Sequence, residues 1–317
     1  MKVAYLFPGQ GSQYVGMGKK MFDAFPEARE IFQAADEVLG FSLSQLCFNG
    51  PEEELQKTIN AQPAILTVSI ACLKILEKEG VKADVSAGHS LGEYSALVAA
   101  GVFTFAEALK IVRKRGQFMQ EAIPLGKGGM VAVLGCEASK VVEACQSSRA
   151  YGVVEVANYN CPGQIVIAGE LPALERAVTL VKEVGAKRCV YLPVSAPFHC
   201  SLMRPAGEKL AGELVKIKAL RPPVIPVVAN VTALPVKDEE EVRNLLSCQV
   251  FHPVRWEESM LHLLKEGVNF FIEVGPGTVL SGLMRKIVRK TNIFSVEDPN
   301  SLKKCVGALN LTPLQGG

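Results

Sequence analysis

Gly88-His89-Ser90-Leu91-Gly92 sets a serine between two glycines at the spacing of a strained strand-to-helix turn. Such a turn pushes the serine hydroxyl out at the carboxyl edge of a sheet. The helix behind it offers free backbone N–H groups and a positive dipole end. Ser90 therefore reads as a nucleophile, with the N–H of Leu91 a natural donor to the oxyanion of a tetrahedral intermediate. The same spacing also arises in ordinary tight turns; the strand before it and the Ala-rich helical run after it favour the reactive reading. The motif specifies a covalent intermediate and leaves the acceptor open, whether water or another nucleophile.

A nucleophilic serine needs a base, and the chain has only four histidines. His89 adjoins Ser90, and neighbouring side chains diverge. His262 lies in a helical run, and His252 precedes Pro253 in a loop, where a structural role is the simpler one. His199, in Ala196-Pro-Phe-His-Cys-Ser201, falls in an irregular stretch between a strand and a helix, where catalytic groups are mounted. It is taken as the base. No aspartate lies between Ser90 and His199. The glutamates there fall mostly in helical patterns and read as solvated faces, and Asp238 belongs to a charge run. The orienting partner of His199 need not be an acid, since a backbone carbonyl can accept its other ring N–H.

A third group stands out by its position. The helix opening at Thr104 begins with a capping box, Thr104-Phe-Ala-Glu107. Its apolar residues Ala108, Ile111, Val112, Phe118, Met119 and Ala122 form one stripe, and Arg115 falls at the centre of it. An inward guanidinium needs an anionic partner. That partner is either an internal glutamate or a ligand carboxylate held by a bidentate pair.

The elements that must carry these residues follow from periodicity. Val3 to Phe7 reads as a buried strand, followed by a Gly-rich loop, helical pattern to about Leu39 and a long helix from Ala61 to Glu79. Val81 to Ala87 reads as the strand into the serine turn. Strands alternating with helices predict a mainly parallel, covered sheet. After Gly126-Lys-Gly-Gly129, strands at 130–134, 152–157, 164–168 and 188–193 with helices at 137–147 and 171–184 spell βαββαβ, the ferredoxin-like order. Alternation then resumes with strands at 224–229 and 269–274 and a final helix carrying Arg285, Lys286, Arg289 and Lys290. The expected fold is α/β. A hydrolase-like large domain covers 1–125 and 196–317, a ferredoxin-like small domain is inserted over 126–195, and the chain ends in a loose tail.

The bulk numbers narrow the partners. The 317 residues are 49% hydrophobic and 21% charged, and 34 basic against 32 acidic side chains leave a net charge of +2. That balance argues against nucleic acid as a partner. Nine scattered cysteines, odd in number and without a C-x-x-C pair, read as reduced residues of a cytoplasmic protein. The N-terminal apolar run is too short for a signal peptide. The stretch Pro63 to Leu76, interrupted by Lys74, is too short to span a bilayer. No membrane partner is expected.

Six segments in order carry a family resemblance: Phe7-Pro-Gly-Gln-Gly-Ser-Gln13, Gly88-His-Ser-Leu-Gly92, Arg115, Asn160-Cys-Pro-Gly-Gln164, Ala196-Pro-Phe-His199 and Glu273-Val-Gly-Pro-Gly277. Together they resemble the malonyl-CoA:acyl carrier protein transacylases of bacterial fatty-acid synthesis, from Met1 to about residue 300. The resemblance implies the same two-domain fold and a ping-pong transfer of malonyl from malonyl-CoA to the phosphopantetheine thiol of holo acyl carrier protein. It makes Ser90 the nucleophile, His199 the base and the backbone carbonyl of Gln249 the orienting partner. It places the oxyanion between the N–H groups of Gln10 and Leu91, and the malonyl carboxylate on Arg115. It makes Asn160 a polar group of the pocket and Phe198 a marker of malonyl over methylmalonyl. It further implies no metal or redox cofactor and a monomer. A polyketide acyltransferase differs in partner. A serine (thio)esterase would use water, and the missing triad acid and the inward Arg115 count against it. A non-catalytic malonyl-CoA binding protein is disfavoured by Ser90, His199 and Arg115 occurring together.

Overall fold

The computed structural model describes residues 1–124, 126–194, 196–218 and 220–309. The expected loose tail at 310–317, and Leu125 and Ser195 at the expected domain boundaries, lie outside the described residues.

β1 (Val3–Phe7) is buried at every position. Val3, Tyr5 and Phe7 join one hydrophobic cluster while Ala4 and Leu6 join another. The period-2 alternation thus feeds two apolar faces, as a strand covered by helices on both sides requires. Five short or long helices follow: α1 (Lys19–Ala24), α2 (Pro26–Leu39), α3 (Leu43–Asn49), α4 (Glu52–Gln56) and α5 (Thr58–Lys78). β2 (Val85–Gly88) pairs parallel with β1, placing Phe7 opposite Gly88. It leads through the serine turn into α6 (Gly92–Ala99) and then α7 (Phe105–Glu121). The capping box at Thr104 and Glu107 is present.

The middle of the chain builds a separate sheet from β3 (Gly128–Leu134), α8 (Ala138–Ser147), β4 (Val154–Cys161), β5 (Gln164–Glu170), α9 (Leu171–Glu183) and β6 (Arg188–Tyr191). Its four strands run antiparallel in the order β4-β5-β3-β6, the ferredoxin-like arrangement. Val131, Val133, Ile165 and Ile167 pack against α8 and α9. Met130, Ala132, Val166 and Ala168 on the opposite face join the main core. Strand β4 is also stapled to the main body. The Tyr159 N–H donates to the Val254 carbonyl at 2.9 Å, and the Val254 N–H donates to the Ala157 carbonyl at 2.8 Å.

The return segment adds α10 (Arg204–Leu214), β7 (Val227–Val228), α11 (Glu239–Gln249), α12 (Trp256–Lys265), β8 (Phe270–Val274), α13 (Val279–Ile287), β9 (Asn292–Val296) and α14 (Pro299–Ala308). The large sheet is parallel throughout, ordered β7-β2-β1-β8-β9. The chain moves outward from β1 through β2 to β7, then returns to β8 on the other side. The carboxyl ends of β1 and β2 therefore lie at the reversal of strand order, where open α/β sheets place their sites.

Several boundaries differ from the periodicity reading. The strand expected over 81–87 begins only at Val85, because the Val81 N–H closes the end of α5 on the Leu76 carbonyl. The strand expected over 224–229 shrinks to two residues. Pro222, Pro223 and Pro226 in this segment have no N–H to give a ladder. Strand β9 was not anticipated, and α13 ends at Ile287, so Arg289 and Lys290 follow the helix instead of riding on it. Helix α5 is longer than the apolar run suggested. At 21 residues it is long and apolar enough to cross a membrane by length and composition, but 83% of its most apolar window is buried inside the protein.

Candidate active site

Ser90 and His199 both hold left-handed backbone, with φ of +51° and +61°. Non-glycine residues pay of order 1–3 kcal/mol each for such geometry, so surrounding bonds must fix it. At Ser90 the side chain of Asn230 does so. Its Oδ1 accepts the Ser90 N–H at 2.7 Å, and its Nδ2 donates to the Gly88 carbonyl at 2.6 Å. Gln249 Nε2 donates to the Ser90 carbonyl at 2.9 Å. The flanking glycines are required by close approach. A Cβ on Gly88 would lie 1.9 Å from the Gly92 backbone, and one on Gly92 would lie 2.0 Å from the Phe7 carbonyl oxygen.

Ser90 Oγ lies 2.7 Å from His199 Nε2. His199 Nδ1 lies 2.8 Å from the backbone carbonyl of Gln249. A carbonyl only accepts, so Nδ1 carries the proton and Nε2 presents its lone pair to the serine hydroxyl. Burial, reinforced by the nearby Arg115 charge, pushes the His199 pKa down to about 3. The imidazole is therefore neutral and able to accept a proton at ordinary pH.

Arg115 is 1% exposed. Its Nη1 donates to Gln62 Oε1 at 2.7 Å, and its Nη2 donates to Gln249 Oε1 at 2.9 Å and to Ser90 Oγ at 3.2 Å. Its Nε has no partner among the described residues. Among the described residues, no glutamate forms an ion pair with Arg115. The guanidinium instead stands beside the serine hydroxyl with donor capacity in reserve.

These groups open onto a cavity of ≈ 190 Å³. Ser90, His199, Arg115, Gln10 and Phe198 all line it, beside apolar residues such as Met119, Met130 and Leu192. Leu91 precedes the first turn of α6, whose Gly92, Glu93 and Tyr94 N–H groups donate to the carbonyls of His89, Ser90 and Leu91. Asn160 stands behind the cavity wall: its Oδ1 lies 2.8 Å from His89 Nε2, and Asn158, two residues earlier on β4, lines the cavity. His252 bonds the Cys248 carbonyl through Nδ1 at 2.9 Å, and neither it nor His262 lines the cavity.

Sequence reading missed Glu93, Asn230, Gln62 and the side chain of Gln249. Glu93 is the clearest correction, because the helical glutamates after Ser90 were read as solvated and this one is 1% exposed. Its Oε2 accepts from Gln249 Nε2 at 2.8 Å and from the Asn230 N–H at 2.9 Å. A signal was available. Glu93 is the only charged residue in a run of small and apolar residues, Gly92 to Ala100, whose all-round apolarity marks a buried helix. Asn230 and Gln62 carry no comparable local pattern.

The chain matches the family model described as "Acyl transferase domain" over residues 4–310. It is 48% identical over 309 residues to the malonyl CoA-acyl carrier protein transacylase of Bacillus subtilis (strain 168), covering 97% of each chain. Its fold superposes on the crystal structure of malonyl CoA-acyl carrier protein transacylase from Clostridium perfringens ATCC 13124 with a TM-score of 0.94, at 48% identity and 98% coverage of both chains. A malonyl-transacylase solved in complex with its type II PKS acyl-carrier protein gives a TM-score of 0.95 at 43% identity, covering 97% of this chain and all of that one.

Proposed function

The chain belongs to the acyl transferase domain family, and from that premise we propose that it moves malonyl from malonyl-CoA to the phosphopantetheine thiol of holo acyl carrier protein, supplying fatty-acid chain elongation. The observation that carries the reading is the buried Arg115, whose guanidinium reaches the same serine oxygen that His199 activates. A cation one bond from the nucleophile suits an acyl group that is itself an anion.

Ser90 attacks the malonyl thioester carbonyl as His199 Nε2 takes its proton. The oxyanion is held by the N–H groups of Gln10 and Leu91, each worth about 3 kcal/mol. The C–S bond breaks, and the CoA sulfur leaves with the proton from His199. The carrier thiol then gives its proton to His199 and attacks the malonyl-serine ester. The ester C–O bond breaks, and Ser90 recovers its proton. The Gln249 carbonyl holds the His199 tautomer through both halves, and Arg115 keeps the malonyl carboxylate in place. Phe198 shapes the acyl end of the cavity, and Asn160 steadies His89. The chemistry draws on no cofactor beyond the CoA thioester and the arm of the carrier. We read the protein as a monomer and, in line with its nine free cysteines, as cytoplasmic.

Intact-mass measurement tests this directly. Incubation with malonyl-CoA should add one malonyl group, which persists in buffer and moves to holo carrier protein when that is supplied. Rapid loss in buffer would show an esterase, and no adduct on folded protein would defeat both readings.

A further inference from the structure

Arg115 is buried, yet among the described residues its guanidinium meets only neutral groups: the oxygens of Gln62, Gln249 and Ser90, and the Tyr94 ring, 5.6 Å from its central carbon. A buried charge with no anion at hand is costly. One anion stands a single amide away. Gln249 turns its Oε1 to Arg115 Nη2 at 2.9 Å and its Nε2 to Glu93 Oε2 at 2.8 Å. The amide dipole thus lies aligned between the two charges. Glu93 sits in the first turn of α6, where the helix dipole also favours an anion.

We propose that Glu93, acting through the side chain of Gln249, is the standing counter-charge of Arg115, and so sets how strongly the site favours an acidic acyl group over a neutral one. This rests on the reading of Arg115 as the malonyl clamp. An ionised Glu93 offsets part of the field that Arg115 projects into the cavity. When a malonyl carboxylate pairs with Arg115, the cluster gathers two anions around one cation in a dry site. Glu93 relieves that excess by taking a proton from solvent. Burial already raises its pKa to about 7.

The surrounding groups leave this role to Glu93. Arg115 on α7 and Tyr94 on α6 feel its charge. Burial lowers the pKa values of His89 and His199 and keeps both rings neutral. Tyr5 of β1 donates elsewhere, to the Val81 carbonyl. On α5, Lys74 pairs with Glu77 and Lys78 with Glu27 at the surface, and burial keeps Cys72 a thiol. Strand β2 carries no ionisable side chain.

The test is Glu93→Gln, which keeps an oxygen for Gln249 and Asn230 and removes the charge. At about pH 8.5, well above the Glu93 pKa of about 7, and at fixed free CoA, the malonyl-CoA concentration that half-loads Ser90 should fall by nearly tenfold, the scale of one charge acting across a protein interior of effective dielectric about 20, and the fall should shrink to about twofold at pH 7. Half-loading by acetyl-CoA should hardly move. A parallel shift of both acyl groups, or a rise for malonyl, would overturn the proposal. Wild-type protein gives a second measurement should the variant fail to fold. Calorimetry in two buffers of different ionisation enthalpy, just above neutral pH, should show proton uptake on malonyl loading beyond that on acetyl loading, and equal uptake would overturn it. Arg115→Ala separates the layers. If that variant loses malonyl and acetyl loading alike, the clamp reading itself has failed. If it discriminates while Glu93→Gln does not, only the counter-charge is wrong.

Discussion

The environment of His199, the proposed base, decides its range of action. A free imidazole titrates near 6.5, whereas burial and the Arg115 charge hold this one at about 3. Labelling of Ser90 by a neutral fluorophosphonate should therefore run at a nearly constant rate from pH 8 down to about 5. A limb centred near 6.5 would mean that the ring is solvated. The same depression has a cost in acid. The unfolded chain takes up this proton as pH falls through the unfolded value, while the folded chain refuses it until about pH 3. The contribution to stability is intact above that unfolded value and drains away across the window below it. Ser90, His199 and Arg115 were legible because each sits in a local pattern: a glycine-spaced turn, an irregular strand end, a helical stripe. Asn230 was not, because its work is defined by contacts between segments 137 positions apart, and for Glu93 only the burial was legible, in the apolar run around it, and not its partners.

Among the elements, the turn between β2 and α6 depends on a side chain from beyond β7. Asn230 satisfies the Ser90 N–H and the Gly88 carbonyl together. Replacing it by alanine strands both buried groups, each worth roughly 1–3 kcal/mol. Asn230→Ala should lower unfolding free energy by roughly 2–4 kcal/mol in urea titrations and slow fluorophosphonate labelling of the folded fraction more than it slows acyl transfer from pre-formed malonyl-enzyme. Unchanged stability would show that water replaces the amide. The βαββαβ order of the small sheet was readable because its strands and helices are short and well punctuated. Strand β7 was readable as a strand but not in its length, since prolines confine its ladder to two residue pairs with β2. Strand β9 was not readable, because its charged preceding residues read as more helix.

Across the whole molecule, the cavity wall is shared between the two sheets, and β4 is fastened to the main body at several points. The Ala157 and Tyr159 backbone pairs with Val254, Glu155 accepts from the Ser201 N–H at 2.7 Å, and Asn160 meets His89. The small sheet therefore covers the serine as a fixed wall. Asn160→Ala removes one fastening near the nucleophile. The malonyl-enzyme formed by this variant should hydrolyse severalfold faster in buffer than wild type, followed by intact mass over time. An unaltered lifetime would place the barrier to water elsewhere.

The pairing of β1 with β8 joins Val3 to Phe270. It also sets an order of events for a chain made from its amino end. Val3 to Phe7 is synthesised first but cannot be flanked on both sides until more than 260 further residues have followed. The small sheet, by contrast, is contiguous from Gly128 to Tyr191, so its contacts close as soon as that stretch is made. Assembly should run from the middle outward, with the large sheet closing last, and such long-range closure is intrinsically slow. Ser90 and His199, carried on either side of the early-forming unit, would then meet only near the end of folding. A nascent chain could not form a reactive serine until its central sheet was complete.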